Sequence, residues 1–255
     1  MRAEILIYYF CTGLTLCILY ATQPIGPIFE SELGISKTQA ALFTTAIMTP
    51  LAFAGIFYGY LLEKIAIKNI LVVAFLLLGI SEIIFSFANS YFLLLNIRGF
   101  QGLLIPAVLT GIMSYISQIS SKDNVASAIG IYIGVTIIGG FMGRALSGCF
   151  TDIFGWRLFF FIIGCVAIFA SILLLKFSQN IKASYLKPRL IDIIHTLKLR
   201  HNLYIFLMIF GIFFTFQAML NFIPFELARI DENYNSSKAG MLYIGYLIGV
   251  LVAFN

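Results

Sequence analysis

The 255-residue chain is 61% hydrophobic and 11% charged, with a mean hydropathy of +1.00. Soluble domains average roughly 45–50% apolar and 25% charged residues, so this composition excludes a soluble globular protein and predicts an all-α integral membrane protein. The apolar runs are about twenty residues or longer, which predicts membrane-spanning helices rather than the strands of an outer-membrane barrel. The formal charge is +5, but basic and aromatic residues do not alternate in any soluble segment, so no nucleic-acid partner is expected.

The chain lacks the residue spacings of metal sites and of catalytic centres. Its four cysteines lie in apolar segments without CxxC or Cys/His spacing, which favours packing roles over ligation or disulfides. The apolar segments contain no nucleophile–base pair and no carboxylate dyad. The sequence therefore predicts neither an enzyme nor a bound metal or cofactor.

Six apolar segments precede the first long polar stretch. The first covers residues 5–29 and carries Pro24 and Pro27 near its end, which predicts a break or bend in the helix. The break either opens a polar pocket around Gln23 or simply ends the helix. The next five predicted spans cover residues 38–62, 69–88, 92–117, 124–150 and 156–177.

The polar stretch divides the chain into three predicted parts. Residues 1–177 form a six-helix bundle, residues 178–202 a basic cytoplasmic linker, and residues 203–255 the start of a second bundle. The second bundle begins with a seventh span over residues 203–225, and an eighth span begins near Ser237. The eighth apolar segment stops about a residue or two short of a full crossing, so we expect a chain truncated within it.

The linker has two interpretations. Its apolar residues form one face of a possible helix on the membrane surface: Leu190, Ile191, Ile194 and Leu197. A solvated basic linker is the alternative.

A short internal repeat supports the division. Pro-Ile-Phe-Glu at 27–30, followed by Ser-Lys at 36–37, is echoed by Pro-Phe-Glu at 224–226 and Ser-Lys at 237–238. The two copies lie six spans apart in the same orientation, which is typical of parallel repeats related by an axis normal to the membrane. In the first copy, Ser36 with a glutamine three residues later predicts a helix N-cap.

The loop charges predict the orientation. Ten of the sixteen Lys and Arg residues fall on the side of the N-terminus, and four fall on the other side. Basic loops stay in the cytoplasm, so we expect a cytoplasmic N-terminus.

Three charged residues lie inside predicted spans: Glu82, Arg98 and Arg144. Each is about six or seven residues from the outer end of its span, roughly 10 Å below that surface. Charges at this depth are costly and by default functional, and a buried carboxylate that loses its cation takes up a proton. We expect a coupled set whose pairing changes during transport; a static ion pair that fixes packing is the alternative.

The fifth span is rich in glycine. Its glycines fall on two helical faces, with Gly130, Gly134 and Gly148 on one and Gly139, Gly140 and Gly143 on the other. Helix faces without side chains let neighbouring helices approach the backbone from two directions. We therefore expect this span to be a packing centre of the fold.

Four motifs, in order, resemble the major facilitator superfamily. Gly-Tyr-Leu-Leu-Glu-Lys-Ile-Ala-Ile-Lys at 59–68 is similar to its loop signature G-x-L-x-D-[RK]-x-G-R-[RK]. Arg-Gly-Phe-Gln-Gly at 98–102 is similar to R-x-x-Q-G, and Gly-Gly-Phe-Met-Gly-Arg at 139–144 to the antiporter motif G-P-x-x-G-G. Leu19 with the two prolines of the first span resembles the first-span motif of twelve-helix drug/proton antiporters. The pattern is nearest to bacterial inner-membrane efflux permeases.

The resemblance implies a function for several of these residues. It implies proton-coupled efflux of a small organic molecule across the bacterial inner membrane, with the lipid bilayer, the substrate and protons as partners. Arg98 would be linked to proton movement. The loop residues Gly59, Glu63, Lys64 and Lys68 would form a cytoplasmic gate, although Glu63 replaces the aspartate of the signature.

The same resemblance places a substrate cavity near the midplane, between two rocking halves. The polar residues expected to face it are Gln23, Gln101, Gln217 and Asn221. Two alternatives stay open: a permease for metabolite uptake, and a truncated product with no transport activity.

Overall fold

The computed structural model describes residues 2–121, 123–183, 198–245 and 248, and its regular structure is helical throughout these residues. The expected amphipathic face at 190–197 lies outside the described residues. The helices are α1 (Arg2–Tyr20), α2 (Gly26–Leu33), α3 (Lys37–Lys64), α4 (Ile67–Phe87), α5 (Tyr91–Ile119), α6 (Val125–Phe154), α7 (Trp156–Phe177), α8 (Arg200–Ile230) and α9 (Ser236–Met241), followed by a 3₁₀ turn at Leu242–Gly245.

Six of the described helices, α3 to α8, are long and apolar enough to cross a membrane. Large apolar side chains cover their outer surfaces: Phe53, Phe57, Phe87, Phe169 and Ile172 are each more than half exposed. Such a surface is stable in lipid and not in water. The predicted all-α membrane fold is confirmed.

The first span is broken, as its prolines predict. The α1 helix ends at Tyr20, residues 21–25 are not helical, and α2 restarts at Gly26 with Pro27 in its first turn. Proline fits the first turn of a helix because its missing N–H has no partner there in any case. The break leaves carbonyl groups at the end of α1 that must find donors elsewhere.

Glycines allow the helices to approach closely. A Cβ atom added at Gly102 of α5 would lie 2.1 Å from the carbonyl oxygen of Ile47 in α3. One added at Gly139 or Gly143 of α6 would lie 2.5 Å from a backbone oxygen of α1, that of Gly13 or Cys17 respectively. All three contacts are backbone against backbone, so no side-chain movement can relieve them.

We expect Gly143→Ala to lower the free energy of unfolding by about 1–3 kcal/mol, since overpacking a tight interface costs about that much. Gly130 lies on the same helix, and a Cβ atom added there would meet no atom of a neighbouring element within 4 Å. Gly130→Ala should therefore be neutral or stabilising by up to about 1 kcal/mol through helix propensity. Unfolding of both variants in detergent micelles checks the difference, and equal stabilities would contradict the packing role of Gly143.

The helices alternate in direction and define two ends of the bundle. The basic end carries Lys64, Lys68 and Lys176, and the opposite end, called the far end below, carries Glu32 and Asp152. The long helices α3 to α8 run between these ends in alternating directions.

At the far end, α3 begins with the predicted cap. The Ser36 hydroxyl accepts a hydrogen bond from the backbone N–H of Gln39, and the Gln39 side chain accepts one from the Ser36 N–H. The reciprocal pair satisfies two of the free N–H groups at the helix start. The predicted N-cap is confirmed. The repeat copy differs by two residues, because α9 begins at Ser236 with Asn235 rather than Ser237 as its N-cap.

At the basic end, the start of the linker pairs with the loop between α3 and α4. The backbone N–H of Ile67 donates to the carbonyl oxygen of Ile181 at 2.8 Å, and the N–H of Ala183 donates to that of Leu62 at 3.0 Å. Residues 181–183 therefore lie along the loop that resembles a family signature.

Candidate functional site: a charged pair at the broken first span

Glu82 of α4 and Arg98 of α5 form a fully buried ion pair. Both side chains have no exposed surface, and Arg98 Nη1 lies 3.9 Å from Glu82 Oε1. Neither carboxylate oxygen accepts a hydrogen bond from the residues that the structure describes. At 3.9 Å the two charges compensate each other, but the atoms are too far apart for the short hydrogen bonds of a close ion pair.

Arg98 also binds the open end of α1. Its Nη1 donates to the carbonyl oxygen of Ile18 at 3.1 Å, and its Nη2 donates to that of Leu19 at 2.8 Å. A weaker contact of 3.4 Å joins Nη2 to the Thr22 hydroxyl. A cation at a helix C-terminus satisfies free carbonyl groups and the negative end of the helix dipole. The guanidinium therefore connects the break in the first span to Glu82.

Gln101 and Gly102 support this pair from the next turn of α5. Arg98 Nη1 donates to Gln101 Oε1 at 2.9 Å, and Gln101 Nε2 donates to the Ser81 hydroxyl at 3.2 Å. Gly102 allows α3 to pass against the α5 backbone. The structure places Gln101 inside the first bundle, fully buried, rather than in the open groove described below.

Arg144 of α6 lies in a second polar network at the same break. Its Nε donates to Gln23 Oε1 at 2.6 Å, and its Nη1 donates to the Gly140 carbonyl oxygen at 2.8 Å. Its guanidinium carbon lies 3.9 Å from the ring centre of Tyr20 and 4.7 Å from that of Tyr243. Arginine stacks well on aromatic faces, so this contact joins the first, fifth and eighth spans.

Gln23 extends this network to the seventh span. Its Nε2 donates to Asn221 Oδ1 of α8 at 2.8 Å, while its Oε1 accepts from Arg144. Of the two outcomes expected at the break, the structure shows a polar site around Gln23, which is 3% exposed.

A groove of about 960 Å³ lies between α3 and α8. One wall carries threonines, including Thr38, Thr45 and Thr49, and the other carries phenylalanines together with Gln217 and Asn221. The amide nitrogen of Gln217 is shielded from solvent and donates no hydrogen bond to the described residues. Pockets of this size with few polar groups suit drug-sized organic molecules. Among the described residues, the groove lining contains no Asp, Glu, Lys, Arg or His side chain.

The remaining predicted residues lie away from this centre. Gly59, Glu63 and Lys64 form the last turns of α3, and Lys68 lies in the first turn of α4, all at the basic end. Gly134 is buried in α6. Among the described residues, no group of three His, Cys, Asp or Glu side chains is arranged to hold a metal ion.

Sequence reasoning missed Asp152 at the end of α6. Its carboxylate accepts hydrogen bonds from the backbone N–H of Ser236 at 2.9 Å and of Ser237 at 2.7 Å. These partners are 84 and 85 residues away along the chain. An acid placed just before a turn gives no signal of so distant a contact.

Comparison with known proteins identifies the family. The Major Facilitator Superfamily model matches residues 8–255. The chain belongs to this superfamily of membrane transporters. The four motifs, the glycine-packed helices and the broken first span are therefore features of a multi-pass transporter fold.

Several bacterial transporters resemble the chain. It is 30% identical to the inner membrane transport protein YnfM of Escherichia coli over 94% of its own length and 59% of that relative. It is 26% identical to the MFS-type transporter YybF of Bacillus subtilis, covering 61% of it, and 24% identical to the quinolone resistance protein NorA of Staphylococcus aureus, covering 47%.

The fold also matches solved structures. A bacterial homolog of the lysosomal transporter Spinster, in its inward-facing and occupied conformation, superposes with a TM-score of 0.82 at 19% identity. The unoccupied inward-facing form gives 0.75. The chain covers 99% of its own length in both matches and 59% and 60% of the two solved chains.

Proposed function

We propose that the chain belongs to a proton-coupled transporter that exports a small organic molecule by alternating access. The observation that carries the proposal is the buried Glu82–Arg98 pair, which is bound to the open end of α1 through the carbonyl oxygen of Leu19, a residue that lines the groove. A carboxylate at this depth with one cation at 3.9 Å can exchange its charge partner for a proton. The similarity to a quinolone resistance protein supports export rather than uptake.

The arrangement supports a specific coupling scheme. Arg98 holds the carbonyl groups of Ile18 and Leu19 and faces Glu82 at the same time. When Glu82 takes up a proton, the guanidinium loses its anionic partner and its remaining acceptors are the α1 carbonyls and Gln101. A charge change at Glu82 is thereby passed to the broken first span, and through Gln23 and Asn221 to the seventh span.

In this proposal the three parts of the chain have separate roles. Residues 1–177 are the first six-helix half, residues 178–202 the linker, and residues 203–255 the start of the second half. The basic end faces the cytoplasm, so the N-terminus is inside and the loop at 59–68 is the inner gate. Gln217 and Asn221 face the substrate in the groove, while Gln23 and Gln101 transmit its binding through their hydrogen bonds.

The test uses the native protein in proteoliposomes with an imposed pH gradient and a quinolone as the probe. Antiport predicts accumulation in an acidic lumen, because protons leaving the vesicle drive the quinolone inward. Protein-free vesicles correct for passive trapping of a weak base. Collapsing the gradient with an ionophore should abolish the accumulation.

The other outcomes are distinct. Accumulation only in an alkaline lumen indicates proton symport, and therefore uptake in the cell. Equilibration that ignores the gradient indicates facilitated diffusion. Either result rejects proton-coupled efflux.

A further inference from the structure

Within the described residues, the buried part of the second half lies at the far end of the first bundle. Residues 203–216 of α8 are all exposed, whereas Leu220, Pro224 and Phe225 are buried. The ring of Phe225 lies on the backbone of α2, where a Cβ atom at Gly26 would meet it at 2.7 Å. Within the described residues, the two halves are therefore in close contact at the far end.

The far end is held together by a backbone-to-backbone crossing of α6 and α9. A Cβ atom at Gly148 would lie 2.3 Å from the carbonyl oxygen of Ser236, and one at Gly240 would lie 2.6 Å from that of Arg144. Two glycines on facing helices thus allow this close contact, because a larger side chain at either position would hold the helices apart. Inside a bilayer, such close helix contacts are stabilised mainly by van der Waals packing.

Asp152 adds a polar contact at the end of this crossing. Its carboxylate lies at the N-terminus of α9 and accepts from the backbone N–H groups of Ser236 and Ser237 and from the Ser237 hydroxyl. A carboxylate at a helix N-terminus satisfies free N–H groups and the positive end of the helix dipole. Charge-assisted bonds of this kind are about twice as strong as neutral ones.

We infer that Asp152 is the latch of a gate at the far end: it holds the eighth span against the fifth while that end is closed, and releases it when the end opens. The inference rests on the proposed alternating access and adds the residue that sets the balance between its two states. The α9 helix belongs to the second half and Asp152 to the first, so a rocking motion of the halves must separate them. No other carboxylate of the described residues bonds to the backbone at the start of α9.

The test measures the opening directly, in the native full-length protein in lipid nanodiscs. Spin labels at Ile153 and Asn233, both exposed on either side of the latch, report the distance across the far end. Cys149 and Cys165, which are the two cysteines that are not buried, are replaced by alanine. We expect Asp152→Ala to lower the ratio of short to long distances about tenfold, as the loss of charge-assisted bonds requires.

Three further variants make the result specific. Asp152→Asn keeps an acceptor oxygen without the charge and should give an intermediate ratio. Ser237→Ala removes only the hydroxyl donor and should give a smaller shift in the same direction. Glu232→Gln, at an exposed acid in the same loop region, should leave the ratio unchanged.

Equal ratios in Asp152→Ala and Glu232→Gln would overturn the latch. The distances are recorded without substrate or gradient, so they are independent of the transport assay. If the native protein fails to transport but Asp152→Ala still shifts the ratio, the proposed function fails and the latch stands as a contact between the halves.

Discussion

Replacing Arg98 with alanine should reduce transport by about a hundredfold or more, because it removes the link between Glu82 and the end of α1, and should lower the free energy of unfolding by about 3–5 kcal/mol, the cost of breaking a buried ion pair. The guanidinium has two roles that alanine cannot fill. It compensates the buried charge of Glu82, and it donates to the carbonyl groups of Ile18 and Leu19 at the end of α1. Arg98→Lys keeps the charge but not the planar fork, so it should recover stability more than transport.

A double variant separates the two roles. In Arg98→Ala the Glu82 carboxylate is left buried without a cation, which alone destabilises the fold. Adding Glu82→Gln removes that charge, so we expect the double variant to regain most of the lost stability. Downhill movement of substrate, which we expect Glu82→Gln alone to keep, should stay low in the double variant, because the carbonyl groups of α1 remain without their donor. A double variant that regained both stability and downhill transport would show that Arg98 only neutralises Glu82.

The sequence was sufficient to predict the helices and their order. Membrane spans follow from length and hydropathy alone, because a bilayer of about 30 Å demands about twenty apolar residues. Local signals were equally reliable: Ser36 with Gln39 predicted a capping box, and Pro24 with Pro27 predicted the break. Each depends on residues within a few positions of one another.

The site depends on contacts that no local pattern encodes. Counting residues puts Glu82, Arg98 and Arg144 at similar depth, but depth does not say which of them meet. The structure brings Glu82 to Arg98 and Arg144 to Gln23. Rotation of each helix about its axis decides this, and that rotation is set by close packing at glycines such as Gly102 and Gly143.

The second major prediction concerns pH. Glu82→Gln should make the rate of transport independent of pH and stop a pH gradient from driving accumulation, while downhill movement of substrate persists. Glutamine fills nearly the same volume as glutamate but carries no charge at any pH. If proton uptake at Glu82 drives the cycle, the glutamine of the variant stays neutral at every pH. The pH gradient then has no group at this position to protonate. Arg98 keeps its bonds to Ile18, Leu19 and Gln101, but its buried positive charge loses its counter-ion, so we expect a stability loss of about 3 kcal/mol, at the lower end for a broken buried pair.

Two controls tie the effect to this carboxylate. Asp123 is an exposed acid between α5 and α6, and Asp123→Asn should leave the pH profile unchanged. Cys17→Ala removes a buried thiol of α1 and should also preserve the profile. If Glu82→Gln lowers stability but keeps the wild-type pH dependence, the pair is a static element of packing and the proton is carried elsewhere. A flat profile in Glu82→Gln alone identifies Glu82 as the group whose charge the cycle changes, because only that variant removes the buried carboxylate.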